Sequence, residues 1–524
     1  MGALILSYCT RFQKKSIMTY KPITAVWEIT MGCNMRCKHC GSSCQNPLPD
    51  ELSTVEALNL ADQIADLGLS WVTLSGGEPF TRKDWNLIAK RLSDKGVIPN
   101  IISNGWLVTD DIISKIKESR VGTIAISLDG LRDTHDYMRK PGSYDRVMNA
   151  FDKFFNNGVV FGAVTTISNV NINQLREIRN ILVEHKVPYW QVQIGLPMGN
   201  FSKEKDMILN PEQIDNIIDF CHETAKEGKI TIYPADCIGY YNIKDLETRK
   251  ISHKSNNLPL WKGCNAGKRG FGILHNGDIM GCTSIREKEF KEGNVRETPL
   301  KDIWDDPNNF LWNRNATKAQ LGGDCNLCKY GDTCLGGCPN TRLTMEKSLY
   351  AENRFCSYNV GIKNSKNIIA KRSDVKKMFE DSLKYIDEQE HQIAGLLLDR
   401  IIELDPTNIE ALKYSGFVNF FMQNYNQAEC SNKKVLEMAP DDVYTLKGLG
   451  ITLYKKGDKA EGINYLKKAV SKTDTNFMDP YFDLALIYID NNQQEEAKAL
   501  LNDAKEFNSD FFQKNPELYN LVFS

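Results

Sequence analysis

The chain has no apolar run approaching the ~20 residues that a membrane-spanning helix needs, which argues against any helical membrane span. It has almost no net charge. Its 65 lysines and arginines against 67 aspartates and glutamates leave −2, with a pI near 6.4, so no long-range field draws it to nucleic acid or to an anionic membrane. Met1 to Cys9 are apolar but lack the basic start and small-residue cleavage site of a signal peptide, and Leu6 stands where a myristoylation signal at Gly2 would want Ser or Thr. These absences give a cytoplasmic protein with no membrane and no nucleic-acid partner as the expectation. Met18 offers an alternative start that would make residues 1–17 dispensable. What is present is ample: 524 residues, 41% hydrophobic and 25% charged, enough for about three domains.

Fifteen cysteines in a reducing compartment point to metal rather than disulfides. Ten fall in two fields, 33–40 and 264–356, while Cys9, Cys44, Cys221, Cys237 and Cys430 stand apart. Cys221 belongs with Ile214, Ile217 and Ile218 to one helix face and reads as core. Cys33, Cys37 and Cys40 follow directly on the apolar run Ile23–Ile29, so their loop leaves the carboxyl end of a strand, where α/β sheets place their chemistry. Three thiolates can hold three irons of a 4Fe-4S cluster and leave the fourth without a protein ligand. A zinc knuckle is the other reading; its fourth ligand would be His39 or Cys44.

The spacing C-x3-C-x2-C after a first strand resembles the signature of the radical S-adenosylmethionine (radical SAM) superfamily, in which the open iron chelates the cofactor's amino and carboxylate groups. The next 200 residues repeat a strand-helix pattern, with strands read at Trp71–Ser75, Val97–Ser103, Val121–Leu128, Val159–Ile167 and Tyr189–Ile194. Six units in series predict a parallel sheet closing as a partial (β/α)6 TIM-like barrel, an α/β fold. After the second strand, Gly76, Gly77, Glu78 and Pro79 resemble the superfamily's GGEP motif: the glycines allow a close approach by a ligand, and Glu78 offers a carboxylate to the cofactor's ammonium. Alternation in the fourth strand turns Ser127 and Asp129 to the lumen. The Ser-Leu-Asp-Gly ending and the following His135-Asp136-x-x-Arg139 look like those of peptide-modifying members, which implies cofactor contacts from Ser127 and Arg139. Asp129 is read either as catalytic or as a cap of the next turn. Gln191 and Gln193 face inward from the sixth strand as candidates for substrate contact.

The second field runs Cys264, Cys282, Cys325, Cys328, Cys334, Cys338 and Cys356, interleaved with glycines that cannot build a core, so metal must hold these loops. Two zinc ribbons would need eight ligands where there are seven. The order resembles the SPASM extension of radical SAM enzymes. That resemblance implies one auxiliary 4Fe-4S cluster on Cys325, Cys328, Cys334 and Cys356 and another on Cys264, Cys282 and Cys338, its fourth iron open, or filled by substrate, a non-cysteine group or Cys237. Three 4Fe-4S clusters and S-adenosyl-L-methionine are thus the implied cofactors. Beyond residue 373, small residues recur at steps of 34 and 35, as at Gly416, Gly450 and Ala485, and resemble a tetratricopeptide array of three repeats after a partial one ending at Pro406. The expected division is an extension over 1–20, the barrel over 21–235, the SPASM domain over 236–372 and the repeats over 373–524.

The resemblance implies hydrogen abstraction by a 5′-deoxyadenosyl radical. Joined to peptide-binding repeats, it favours a ribosomally made peptide or protein as substrate and a side-chain cross-link, thioether or carbon-carbon, as product. An external donor such as a flavodoxin or ferredoxin would supply electrons. A formylglycine maturase is disfavoured because the Asp expected after Cys282 is replaced by Thr283, Ser284, Ile285 and Arg286. A tetrapyrrole-modifying enzyme is suggested by the His39-Cys40 ending, and an iron-sulfur electron carrier with a repeat scaffold is the non-enzyme alternative. No winged-helix leader-binding domain is expected before the barrel.

Overall fold

A computed structural model describes residues 20–523. The extension read over 1–20, apart from Tyr20, lies outside the described residues, as do Cys9 and Met18. Two compact units emerge, one of residues 20–326 with 330–361 and one of 362–523 with Leu327–Lys329.

The first unit is built on one ten-stranded sheet. β1 (Thr24–Thr30), β2 (Trp71–Gly76), β3 (Ile98–Ser103), β4 (Ile124–Ser127), β5 (Phe161–Ile167), β6 (Tyr189–Ile194) and β7 (Thr231–Pro234) run parallel in sequence order. β7 is a strand beyond the six expected; it is only four residues long and follows Gly228, whose φ of +67° ends the preceding helix. On the other edge β8 (Gly270–Ile273) pairs parallel with β1, and β9 (Asp278–Met280) and β10 (Lys291–Asn294) continue antiparallel. The second cysteine field therefore continues the barrel's own sheet.

Strand alternation sorts the two faces. In β1, Ala25, Trp27 and Ile29 are buried against the helices, and in β6 Trp190, Val192 and Ile194 are, the branched aliphatic side chains each contributing about 1.5–3 kcal/mol by leaving water. The opposite set (Val26, Glu28 and Thr30; Gln191 and Gln193) faces the lumen. Helix Thr54–Asp66 shows how the outer layer is specified. Ser53 and Glu56 form a reciprocal capping box, Ala57, Leu60, Ala61 and Ile64 make the buried stripe, and Gly68 follows with φ +82°. Losing the cap would cost about 1 kcal/mol.

The second unit is a run of helix pairs: Val375–Asp387 with His391–Leu404, Ile409–Phe421 with Tyr425–Met438, Val443–Lys456 with Lys459–Lys472, and Asp479–Asp490 with Gln494–Phe507. Asp374, Asn408 and Asp442 each cap the first helix of a pair, accepting from Lys377, Ala411 and Thr445 amides at 2.9–3.0 Å. The segment read as a partial repeat is thus a full pair. Close packing explains the small residues: a Cβ at Gly450 would lie 2.7 Å from Leu466 and 2.9 Å from the Gly462 carbonyl.

Candidate functional site

The loop carrying Cys33, Cys37 and Cys40 lies across the carboxyl ends of the strands and is tied there from several sides. Cys33 N–H donates to Gln45 O at 2.8 Å, Lys38 N–H to Met138 O at 2.9 Å, and Asn200 N–H, from the loop after β6, to Cys40 O at 2.9 Å. Asn104, just past β3, donates from Nδ2 to Asn34 Oδ1 at 2.8 Å. Sequence reasoning missed Asn34 and Asn104; their signal was a polar run, Ser103-Asn104-Gly105, at a strand's carboxyl end.

Gly76 and Gly77 pack against this loop. A Cβ at Gly76 would lie 2.2 Å from Thr30 O and one at Gly77 2.1 Å from Gly32 O, while Gly77 and Glu78 amides donate to those same carbonyls at 2.8 Å. The close approach read as room for a ligand is made in the structure by the chain's own backbone, and it fixes the cysteine loop. Glu78 is fully buried. Its carboxylate accepts from Ser103 Oγ at 2.8 Å, Asn104 N–H at 2.7 Å and Phe80 N–H at 3.3 Å. Burial pushes this carboxyl up to about 7 despite those donors. Pro79 opens the short turn that follows.

Asp129, just past β4, is the hub of the site. Its Oδ2 accepts from Arg139 Nε at 2.5 Å and stands 2.9 Å from His39 Nε2, and its Oδ1 accepts from the Thr166 amide at 2.8 Å. Burial would raise its carboxyl, but Arg139 and then His39 outweigh burial and hold it well below the usual range. Among the described residues no amide of the following turn donates to this carboxylate, so Asp129 is not the cap of that turn, the alternative that the sequence allows. It couples β4 and β5 to the cysteine loop, and Arg139, nearly buried, also faces the Cys37 and Cys40 thiols. The turn after Asp129 is held by His135 Nδ1, which accepts from the Asp129 amide at 3.1 Å, and by Gln174 Oε1, which accepts from the Leu131 amide at 3.0 Å. Ser127 is buried in register with Val164; Gln193 donates to Thr166 Oγ1 at 3.2 Å, and Gln191 is exposed.

A second carboxylate in the lumen was not anticipated. Glu28, on β1, is 4% exposed and pairs with Arg286, which also donates to Ser42 Oγ at 2.7 Å. Glu28 Oε2 and Arg286 Nε are buried without partners. Burial raises the Glu28 carboxyl against the pull of Arg286. Its signal was an acidic residue inside the apolar run Ile23–Ile29.

The sulfurs are built as hydrogen-bond acceptors. Cys33 accepts from the Met35 amide and Cys264 from the Ala266 amide, both at 3.4 Å, and the Ser42, Ser284 and Asn340 amides serve Cys40, Cys282 and Cys338 in the same i+2 manner. Cys325 accepts from the Asn353 amide and Asn359 Nδ2. Burial, with Cys40 and Cys33 adding to it, pushes Cys37 up to about 11, whereas the Cys44 thiol donates to Cys40 and lowers it. Cys264, Cys282 and Cys338 likewise act on one another, and Cys237, pushed up to about 12 by burial and then by Cys338, stands near them. Tyr240 Oη accepts from the Cys338 amide at 3.0 Å. Cys328 and Cys334 are buried and Cys356 partly so. Buried sulfurs facing one another and fed by amide donors fit iron-sulfur clusters, whose potentials such donors tune. Among the described residues no three His, Cys, Asp or Glu side chains converge closely enough for one metal ion, and His39, a ligand the zinc reading offered, is taken by Asp129.

Comparison with known proteins agrees with this arrangement. The radical SAM superfamily pattern matches residues 27–182, the SPASM iron-sulfur cluster-binding domain residues 264–329, and a tetratricopeptide repeat residues 479–511. The chain carries a radical SAM domain, a SPASM domain and a tetratricopeptide repeat. Among curated relatives, the AdoMet-dependent heme synthase of Methanosarcina barkeri is 29% identical over 66% of this chain and 99% of its own length, and the mycofactocin maturase MftC of Mycolicibacterium smegmatis is 24% identical over 60% and 78%. Streptococcus suis SuiB bound to S-adenosylmethionine shares the fold with a TM-score of 0.52 at 19% identity, covering 66% of this chain and 79% of SuiB. Native anSMEcpe with bound AdoMet and the Kp18Cys peptide gives 0.53 at 16%, covering 66% and 97%. Among the described residues no helix is long and apolar enough to cross a membrane.

Proposed function

We propose that this chain is a radical SAM enzyme that abstracts hydrogen from a ribosomally made peptide or protein and closes a side-chain cross-link, a thioether or a carbon-carbon bond. The observation that carries the reading is the repeat array. The heme synthase is matched across 99% of its length by 66% of this chain, so a third of the chain has no counterpart there, and the tetratricopeptide repeat at 479–511 is of a kind that binds polypeptides. Solved relatives include SuiB with its precursor peptide SuiA.

In this reading the chain divides at 21–235, 236–372 and 373–524. Cys33, Cys37 and Cys40 would hold the cofactor-binding cluster, Cys325, Cys328, Cys334 and Cys356 one auxiliary cluster, and Cys264, Cys282 and Cys338 the other. With S-adenosylmethionine bound, these groups supply the radical and the electron transfer, an external flavodoxin- or ferredoxin-type protein being the reductant. The protein's own part is placement. Gly76, Gly77 and the Glu78–Asn104 hydrogen bond set the cysteine loop, and Pro79 fixes the turn after it. Arg139 and Ser127 would border the ribose or the carboxylate of a bound cofactor, and Asp129 holds Arg139 by a buried ion pair. Gln191 and Gln193 offer amides to the substrate from the lumen face of β6.

A second reading, tetrapyrrole modification, is favoured by the length of the heme-synthase match. The experiment that separates them is anaerobic incubation of reconstituted enzyme, S-adenosylmethionine and dithionite with the peptide encoded beside the gene, or with an iron porphyrin. The peptide reading expects 5′-deoxyadenosine and a peptide lighter by two hydrogens. A peptide heavier by a methyl group or by oxygen, or turnover of the porphyrin alone, would overturn it.

A further inference from the structure

The repeat unit contains a small pocket of about 60 Å³, room for the tip of one side chain, on the face where the first helices of three successive pairs meet. Its wall is aromatic and aliphatic: Phe420, Phe421, Tyr425 and Tyr454, with Ile451 and Ile487. Set into this wall is Asp483, 4% exposed. Its Oδ2 is buried and accepts no hydrogen bond; the one cation near it, Lys447 Nζ, stands at 3.6 Å. Lys447 is shared. It lies closer to Asp479, at 3.3 Å, and sits over the Tyr444 and Phe477 rings. Asp490, the other carboxylate of the pocket, accepts from Tyr454 Oη at 2.9 Å. The remaining charge is Lys455, exposed at the edge.

A buried carboxylate whose cation is shared with Asp479 and stands beyond hydrogen-bond distance is under-compensated, and an apolar wall adds no donor. Burial pushes the Asp483 carboxyl up to about 6 even with Lys447 beside it, so it is ionised above that pH and still short of partners. Aromatic faces around a carboxylate suit one kind of guest, a cation on an apolar stem. The Tyr454 ring already carries a cation on one side, Lys459 Nζ at 5.1 Å from its centre. We propose that this pocket receives a lysine or arginine side chain, flanked by an apolar residue, from the polypeptide that the enzyme modifies. The proposal rests on the peptide-substrate reading for the identity of its occupant. The charge complementarity to Asp483 is its own.

The test is binding without turnover. Labelled full-length protein is applied at pH 8 to a positional-scanning octapeptide array, as wild type, Asp483→Asn and Lys447→Met. Wild type should prefer Arg or Lys at one position beside an apolar residue. Asp483→Asn should weaken that preference about tenfold, the scale of a lost hydrogen bond to a charged group. Lys447→Met removes the competing cation and should strengthen it, an outcome that a merely misfolded array could not give. Preference for acidic peptides, or an unchanged basic preference in Asp483→Asn, would overturn the pocket. If the selected basic peptides bind through Asp483 but the encoded peptide is never modified, the maturase reading fails while the pocket stands. If the encoded peptide is modified and bound equally by Asp483→Asn, the pocket alone fails.

Discussion

Replacing Asp129 by Asn tests whether the hub of the barrel mouth is electrostatic. The side chain keeps its size but loses the charge that holds Arg139 at 2.5 Å and His39 at 2.9 Å, both partners being nearly excluded from water. Removing one member of a buried ion pair leaves the other charge uncompensated and costs about 3–5 kcal/mol. At roughly 2–4 °C per kcal/mol for a domain of this class, the melting temperature should fall by about 10 °C. The pH dependence has a definite sign. The folded carboxyl is depressed, so its contribution is complete above the unfolded value of about 3.9 and is lost only as pH falls through the lower folded value. The gap between wild type and Asp129→Asn should therefore be constant from pH 5 to 8, as followed by anaerobic circular dichroism melts. Because His39 and the Cys37 and Cys40 thiols share this node, reconstituted iron should fall by up to about four per chain. A melt within about 2 °C of wild type with full iron would refute the argument.

Three further outcomes follow from the same geometry. Glu78 has a folded pKa raised to about 7, so its contribution to stability is present below about 4.5 and is lost as pH rises through 7; a cofactor ammonium that pairs with it should reverse this, making S-adenosylmethionine binding by calorimetry tighter above pH 7 than below, with Glu78→Gln flat across that range. Three clusters predict about twelve irons per reconstituted chain and about four fewer when Cys33, Cys37 and Cys40 are changed to Ala, whereas zinc in place of iron would end the reading; Cys338→Ala should keep 5′-deoxyadenosine formation yet abolish the peptide product.

The barrel was legible because its signals are local. Period-two alternation at Ile124–Leu128, the Ser53–Glu56 cap and the thiol spacing each need only neighbours in sequence to be read. β7 was missed because four residues, Thr231–Pro234, carry too little pattern to show a strand, and β8 because Gly270-Phe271-Gly272-Ile273 has glycine where β-branched residues would announce one. Those glycines have a spatial reason. A Cβ at Gly272 would lie 2.6 Å from the Thr283 amide, so the segment after Cys282 can run close against β8. Such demands come from chain segments that meet only in the fold.

Glu28 shows what that costs a purely sequential argument. The missing Asp after Cys282 counted against formylglycine chemistry because no base stood beside that cysteine in the sequence. In the fold the segment Thr283–Arg286 carries Arg286 to Glu28, so a carboxylate from β1 stands next to the same segment after all, 258 residues away along the chain. Its position does not make it a base. Arg286 and Ser42 both engage Oε1, and Oε2 is buried, so neither oxygen is open to a substrate in this arrangement. The pair instead joins three parts that a radical enzyme must keep in register: the first barrel strand, Ser42 of the cysteine loop and the segment that follows Cys282. What stands against formylglycine formation is therefore an occupied acid residue, not a lacking one.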